Sequence, residues 1–216
     1  TGGEVGCGSG VLLCAACAAC AERVDGIEAV ESVAALARET LEVNGCTGVV
    51  HCCLAEDFVP DGNASWDVVL SESIGLMALC EWMIMSMLVA RRWLRPGGSV
   101  LPAQVSVRMC PVKTSFAHQP HGVNMGHVIP AVMTPVLVPA HALLHLSSGA
   151  VGEGLEVASL DLSAAAPVDL SMSTVLAFQP AEDSHLAGLC VWFDLFCGQS
   201  CCQLSTGPSA PPTHWQ

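Results

Sequence analysis

Two carboxylates, Glu72 and Glu81, stand nine residues apart in the otherwise uncharged stretch Ser71-Glu-Ser-Ile-Gly-Leu-Met-Ala-Leu-Cys-Glu-Trp-Met83. Shielded from water and unpaired, each would cost roughly a few kcal/mol, so a cationic partner is the physical expectation. A guanidinium suits this arrangement, because it is planar, carries several N–H donors and can be gripped by both acids at once. Two solvated acids on a surface loop are the competing reading of this segment taken alone.

The elements around the loop must present those acids. Trp66-Asp-Val-Val-Leu-Ser71 reads as a strand that delivers Glu72 to the edge of a sheet. Upstream, Gly3-Glu-Val-Gly-Cys-Gly-Ser-Gly10 reads as the end of a first strand followed by a G-x-G-x-G turn (Gly6, Gly8, Gly10) into an Ala-rich helix, Val11 to Ala21. Those glycines let backbone approach a ligand closely, but the fuller dinucleotide fingerprint is not met, since position 11 is Val. Val24-Asp-Gly-Ile-Glu28 is a second strand ending in an acid about twenty residues beyond the Gly turn, where a carboxylate can accept both hydroxyls of a ribose. A helix follows from about Val33 to Val43, with Val33, Leu36, Ala37 and Leu41 on its apolar face and Asn44-Gly45 as its stop signal. A third strand runs from Val49 to Cys53, and Glu56 and Asp57 on the loop after it are placed to meet an adenine edge. Strand–helix alternation of this kind specifies a parallel sheet whose ligand lies at the carboxyl ends of the strands.

Beyond the acidic loop, Leu79 to Trp93 reads as a helix with Glu81 near its start and Arg91-Arg92 near its end, as the macrodipole prefers. Arg95-Pro-Gly-Gly98 then turns the chain into a further strand, Ser99 to Pro102. From Gln104 onward the pattern changes to short β-rich runs separated by Pro, Gly and Ser: Val105–Val112, Leu155–Leu160, Val168–Phe178, Leu186–Cys197 and Cys201–Ser205.

Composition narrows the partners. The chain has 216 residues, 52% of them hydrophobic, enough for one large domain or two small ones. Seven basic residues against twenty acidic ones give a net charge of -13, which argues against direct nucleic-acid binding and suits basic proteins or peptides. The thirteen cysteines include Cys14, Cys17 and Cys20 at intervals of three and the adjacent pairs Cys52/Cys53 and Cys201/Cys202. This matches no paired zinc knuckles, so small buried thiols in a reducing compartment, cytoplasmic or nuclear, are expected ahead of metal ligands or disulfides. The histidines at 118, 121, 127, 141 and 145 fit no metal-ligand spacing either and read as loop and strand residues. There is no signal-peptide pattern, and Glu81 interrupts the longest apolar run, so no membrane span is expected.

Glu4-Val-Gly-Cys-Gly-Ser-Gly10, Ile27-Glu28-Ala, Ala55-Glu56-Asp57, Ser71-Glu72 and Glu81-Trp-Met83 occur in an order and approximate spacing that resembles the S-adenosylmethionine-binding half of the protein arginine methyltransferases. Glu72 and Glu81 resemble that family's double-E loop, which holds the substrate arginine. Arg95-Pro-Gly-Gly98 is similar to the passage where the cofactor fold hands over to a β-barrel. A second match lies at the far end: Val191-Trp-Phe-Asp-Leu195, Leu204-Ser-Thr-Gly-Pro208 and Pro212-Thr-His-Trp215 resemble the passage that ends in the family's THW loop.

The resemblance implies an α/β fold: a Rossmann-like methyltransferase sheet over residues 1–102 and a β-barrel-like substrate domain over 103–216, with a short dimerisation arm at about 116–139. It implies S-adenosylmethionine as cofactor, held by Glu4, Gly6, Gly8, Gly10, Glu28 (ribose), Glu56 (adenine amine) and Met83 (beside the reactive methyl). Glu4 stands where the family more often has Asp. Glu72, Glu81 and His214 are the implied catalytic residues, with Trp215 walling the substrate-arginine pocket and no metal. The implied partners are arginine-containing basic proteins or peptides, histone or Arg-Gly-rich, and a second copy of the chain.

Some family features are not met. No tyrosine occurs, Leu76 stands where a loop tyrosine is common, and Ser73 stands where Trp or Pro often follows the first glutamate. The family's N-terminal helices and the barrel strands after Trp215 are not in this sequence, and both ends, Thr1 and Gln216, read as cut through a domain. Two other functions stay open: a small-molecule methyltransferase, and a truncated or impaired relative that binds partners through its acidic pocket.

Overall fold

The computed structural model describes residues 1–60, 65–75, 77–80, 83–113, 154–166, 173–178, 186–198, 203–211 and 213–215. Glu81, the proposed arm at 116–139 and the five histidines between 118 and 145 lie outside the described residues. The chain divides into two compact units, one made of Thr1–Val105, Leu160–Met172 and Leu195–Gln203, the other of Ser106–Ser159, Ser173–Asp194 and Leu204–Gln216.

The first unit is built on a five-stranded sheet. Its strands are β1 (Gly2–Val5), β2 (Val24–Glu28), β3 (Gly48–Cys52), β4 (Trp66–Leu70) and β5 (Leu94–Leu101), ordered β3-β2-β1-β4-β5 with every neighbouring pair parallel. Three helices accompany them: α1 (Val11–Ala18), α2 (Glu31–Val43) and α3 (Ile84–Ala90), the last running into a 3-10 turn at Arg91–Trp93. The chain steps outward from β1 to β3 and then returns past β1 to β4. The strand order therefore reverses between β1 and β4, where open α/β sheets form their ligand crevice.

Local sequence explains these elements. The α2 helix turns Ala34, Ala37 and Leu41 to the core and stops at Asn44, with Gly45 taking the left-handed conformation (φ +64°) that ends many helices. Gly3 is required by packing: a Cβ there would come within 2.2 Å of the Trp66 indole. Trp66 is buried with Phe58 and Trp93, its ring 5.6 Å from Phe58 and 5.4 Å from Trp93 between centroids, and its Nε1–H donates to buried Asp25 at 3.0 Å. Arg23 pairs with the same carboxylate at 2.9 Å. Trp66→Ala empties this cluster and removes a hydrogen bond to a buried acid, so it is expected to cost about 3–5 kcal/mol of stability, read by denaturant unfolding.

Three expected elements differ in the structure. Arg95-Pro-Gly-Gly98 is not a turn: β5 runs through it, and pairing moves from Trp66↔Leu94 to Val68↔Ser99, so β4 advances two residues while β5 advances five. The surplus is absorbed as a bulge with Gly97 at φ +80°, a use of glycine that sequence does not distinguish from a turn. Where a helix is expected over Leu79–Trp93, α3 is described from Ile84, and Met77 (φ +52°) and Ala78 (φ +64°) hold left-handed backbone ahead of Leu79. Within the expected strand Val168–Phe178, the described residues 173–178 have no regular secondary structure.

A second sheet has four strands, β6 (Gln104–Lys113), β7 (Leu155–Asp161), β8 (Leu186–Phe196) and β9 (Gln203–Ser205), in the order β7-β6-β8-β9. Cys110 and Cys190 form a small buried cluster against Trp192, and Gly154 lies where a Cβ would come within 2.0 Å of the Trp192 ring. Every described cysteine is a free thiol. Among the described residues no helix is long and apolar enough to cross a membrane, and no group of three or more His, Cys, Asp or Glu side chains could hold a metal ion.

Candidate active site

Of the candidate cofactor residues, Glu4, Gly6, Gly8, Gly10 and Glu28 lie at the carboxyl ends of β1 and β2, and the candidate substrate acid Glu72 follows the neighbouring β4. Gly6, Gly8 and Gly10 all have positive φ (+68°, +53° and +83°), and the main-chain N–H groups of Gly6 and Cys7 donate to Ile27 O at 2.9 and 3.0 Å, tying the turn to β2. A Cβ on Gly8 would meet nothing within 4 Å, so this glycine faces open space. Glu28 closes the turn from the side: its Oε2 accepts the Gly8 N–H at 3.1 Å and its Oε1 the Val30 N–H at 2.9 Å. A carboxylate has about four lone-pair positions, so both oxygens keep acceptor capacity after these two bonds.

Glu4 is strongly perturbed. It lies on β1 with 2% of its surface exposed, and its Oε2 is buried without a hydrogen-bond partner. Burial pushes its pKa up to about 8; a hydrogen bond from the Leu13 backbone opposes the shift, and the charge of Glu72 adds to it. The Cys7 thiol is pushed up to about 12, first by burial and then by the charges of Glu4 and Glu28, and is inert as a nucleophile. Three acids thus act electrostatically on one glycine turn, and one of them has an orphaned oxygen. Such a place is suited to a ligand that carries positive charge.

Glu72 is exposed at the end of β4, held between two buried serines. Ser71 Oγ donates to Val5 O at 2.7 Å and accepts the Ser73 N–H at 3.0 Å, while Ser73 Oγ donates to the same carbonyl at 3.1 Å. Ser73 also fills the space against Gly6, where a Cβ would lie 2.0 Å from its hydroxyl. Sequence reasoning missed these two positioning residues; the signal was the Ser-Glu-Ser alternation, which buries both serines on one face and turns the acid to the other. Ser71→Ala leaves a buried N–H and a carbonyl short of a partner, with an expected cost of about 1–3 kcal/mol measurable by chemical denaturation.

Glu56 sits exposed on the turn after β3, and Met83, 42% exposed, is the residue preceding α3. In the second unit, His214 is exposed and lies against Trp215 with ring centroids 3.9 Å apart and planes tilted by 34°, and Trp215 meets Phe193 edge-on at 5.4 Å. The approach to this turn is anchored by residues of the two matched passages, Val191–Leu195 and Leu204–Pro208, to which the sequence assigned no individual part. Thr206 Oγ1 accepts the Phe193 N–H at 3.0 Å, and Ser205 Oγ donates to buried Asp194 at 2.5 Å while accepting the Gly207 N–H at 3.1 Å.

Residues 4–98 match the family model of a methyltransferase domain, and residues 103–216 match that of the arginine methyltransferase oligomerization subdomain. The chain is 29% identical over 191 residues to the probable protein arginine N-methyltransferase 3 of Arabidopsis thaliana, covering 81% of this chain and 32% of that relative. It is 24% identical over 229 residues to protein arginine N-methyltransferase 1 of Saccharomyces cerevisiae, covering 99% of this chain and 64% of that relative. The chain thus spans between about a third and two thirds of the length of these curated relatives. Its fold is that of solved arginine methyltransferases: a PRMT6 crystal structure matches with a TM-score of 0.79 at 22% identity, over 99% of this chain and 75% of that one. The Trypanosoma brucei PRMT1 enzyme–prozyme heterotetrameric complex with AdoHcy matches with a TM-score of 0.75 at 24% identity, over 99% and 70%. With a Rossmann-like methyltransferase sheet, a second β-sheet domain and the oligomerization subdomain model spanning more than half its length, the chain belongs to the protein arginine methyltransferase family.

Proposed function

We propose that this chain binds S-adenosylmethionine and supports methyl transfer to guanidino nitrogens of arginine in basic proteins or peptides. The observation that carries the reading is the buried, partner-less Oε2 of Glu4 beside the Gly turn, with Glu28 and Glu72 adding negative charge to the same place. When bound, S-adenosylmethionine supplies an electrophilic methyl on a sulfonium that is already a good leaving group. The protein's task is therefore positioning and electrostatics.

Each residue has a distinct part. Glu4 receives the cofactor's ammonium group, the backbone of Gly6, Gly8 and Gly10 lets the methionine portion approach, and Glu28 accepts the ribose hydroxyls. Glu56 accepts the adenine amine, and Met83 lies against the reacting methyl. Glu72 and Glu81 hydrogen-bond the guanidinium, draw its positive charge towards the nitrogens they hold and leave another aimed for attack. His214 braces the substrate-arginine pocket and Trp215 walls it. On this reading residues 1–102 are the cofactor domain and 103–216 the substrate domain, and the oligomerization subdomain pairs with a second copy of the chain. The net charge of -13 favours basic histone-like or Arg-Gly-rich partners in the cytoplasm or nucleus over nucleic acid.

Incubating the chain with methyl-labelled S-adenosylmethionine and an Arg-Gly-rich peptide tests this. Label should enter the peptide and be absent when every arginine is replaced by lysine. Cofactor binding without any transfer would favour the binding-only relative. Label in neither peptide and no cofactor binding would sink the proposal.

A further inference from the structure

The turn after β3 carries Glu56 and is built as a single helical turn: the N–H groups of Asp57 and Phe58 both donate to Leu54 O at 3.1 Å. A lone helical turn leaves its last carbonyls without partners and with partial negative charge. Arg92 fills that need. Its Nη2 donates to the main-chain oxygens of Glu56 at 2.8 Å, Ala55 at 3.3 Å and Phe58 at 3.4 Å. Its guanidinium carbon lies 4.4 Å from the centroid of the Trp93 ring, and Trp93 is itself fixed edge-on against Phe58 at 4.9 Å. The turn is thus clamped from both ends, by Phe58 in the aromatic cluster and by a cation seated on the same cluster.

We infer that Arg92 is a positioning residue for nucleobase recognition: by tying the carbonyls of residues 55, 56 and 58 to the Trp93 platform, it sets the direction in which the Glu56 carboxylate leaves the turn. A lysine could supply the charge but not a planar group that both stacks on the indole and donates in its own plane. The inference rests on the proposed contact between Glu56 and the adenine amine.

Binding of S-adenosylhomocysteine and of S-inosylhomocysteine, which has a carbonyl in place of that amine, separates the possibilities when measured by calorimetry on the 216-residue chain. The wild type is expected to prefer the adenosine compound. In R92Q that preference should fall by about fivefold or more, in R92K by less, and in E56Q it should vanish, with R92Q/E56Q no different from E56Q because the two residues act as a unit. A merely structural Arg92 would weaken both ligands equally and leave their ratio unchanged, and that result would overturn the inference while sparing the cofactor reading. A wild type without preference would remove the Glu56 contact and the inference together. If R92Q does not fold, R92K decides: a ratio equal to the wild type's counts against the clamp.

Discussion

Glu72→Gln is expected to lower kcat/KM for methylation of an Arg-Gly-rich peptide by about a hundred- to a thousandfold, the loss typical of removing one preorganised charge-stabilising group. The change keeps size and shape, and the two serines that fix the backbone on either side are untouched, so stability should scarcely move. Its second consequence falls on Glu4. Glu72 helps hold the Glu4 carboxyl in its protonated form, so removing the Glu72 charge eases Glu4 ionisation while also taking away a negative charge that draws the cationic cofactor; the two effects oppose, and cofactor affinity near neutral pH should change little. Steady-state rates set beside calorimetric cofactor affinities check both. A variant that loses activity only through loss of cofactor would contradict the assigned role.

Glu4→Gln should remove most of the pH dependence of stability between the two pKa values of this carboxyl. In the folded chain the group titrates at about 8, against an ordinary value of 4.5. Between those values the folded state keeps a proton that the unfolded state has lost, so the unfolded state binds fewer protons and stability falls as pH rises. The contribution is fully present below the ordinary value and gone above about 8, a span on the order of 4–5 kcal/mol. The glutamine variant should therefore match the wild type near the acid end of the window and exceed it by several kcal/mol at the alkaline end. Denaturant unfolding across that range, without cofactor, reads the difference directly.

What sequence could reveal depended on whether a residue's role was local. The strand Val24–Glu28 and the helix stop at Asn44-Gly45 follow from nearest-neighbour chemistry and stand where expected. Glu28 was recognisable for the same reason: an acid at a strand end, a set distance after a glycine turn. Glu4 was recognisable as part of that motif, but its orphaned oxygen was not, because its burial depends on elements folded onto the sheet, among them α1, whose Leu13 backbone reaches the carboxyl. Met77 and Ala78 take left-handed backbone without the glycine that normally announces it, so the sequence did not mark that break ahead of α3. The bulge in β5 and the clamps made by Ser71, Ser73, Arg92 and Thr206 depend on partners distant in the chain. Local pattern at most places such a residue on a face, as the Ser-Glu-Ser alternation does for Ser71 and Ser73; it does not name the partner.

A cation-receiving cofactor site on the acidic edge of the first sheet would show itself in calorimetry of S-adenosylmethionine binding near pH 7 in two buffers of different ionisation enthalpy. Because free Glu4 is mostly protonated there and must ionise to hold an ammonium group, wild-type binding should release close to one proton, and Glu4→Gln should bind weakly with none released. Tight binding with no proton release, or an affinity unchanged in the glutamine variant, would contradict the account.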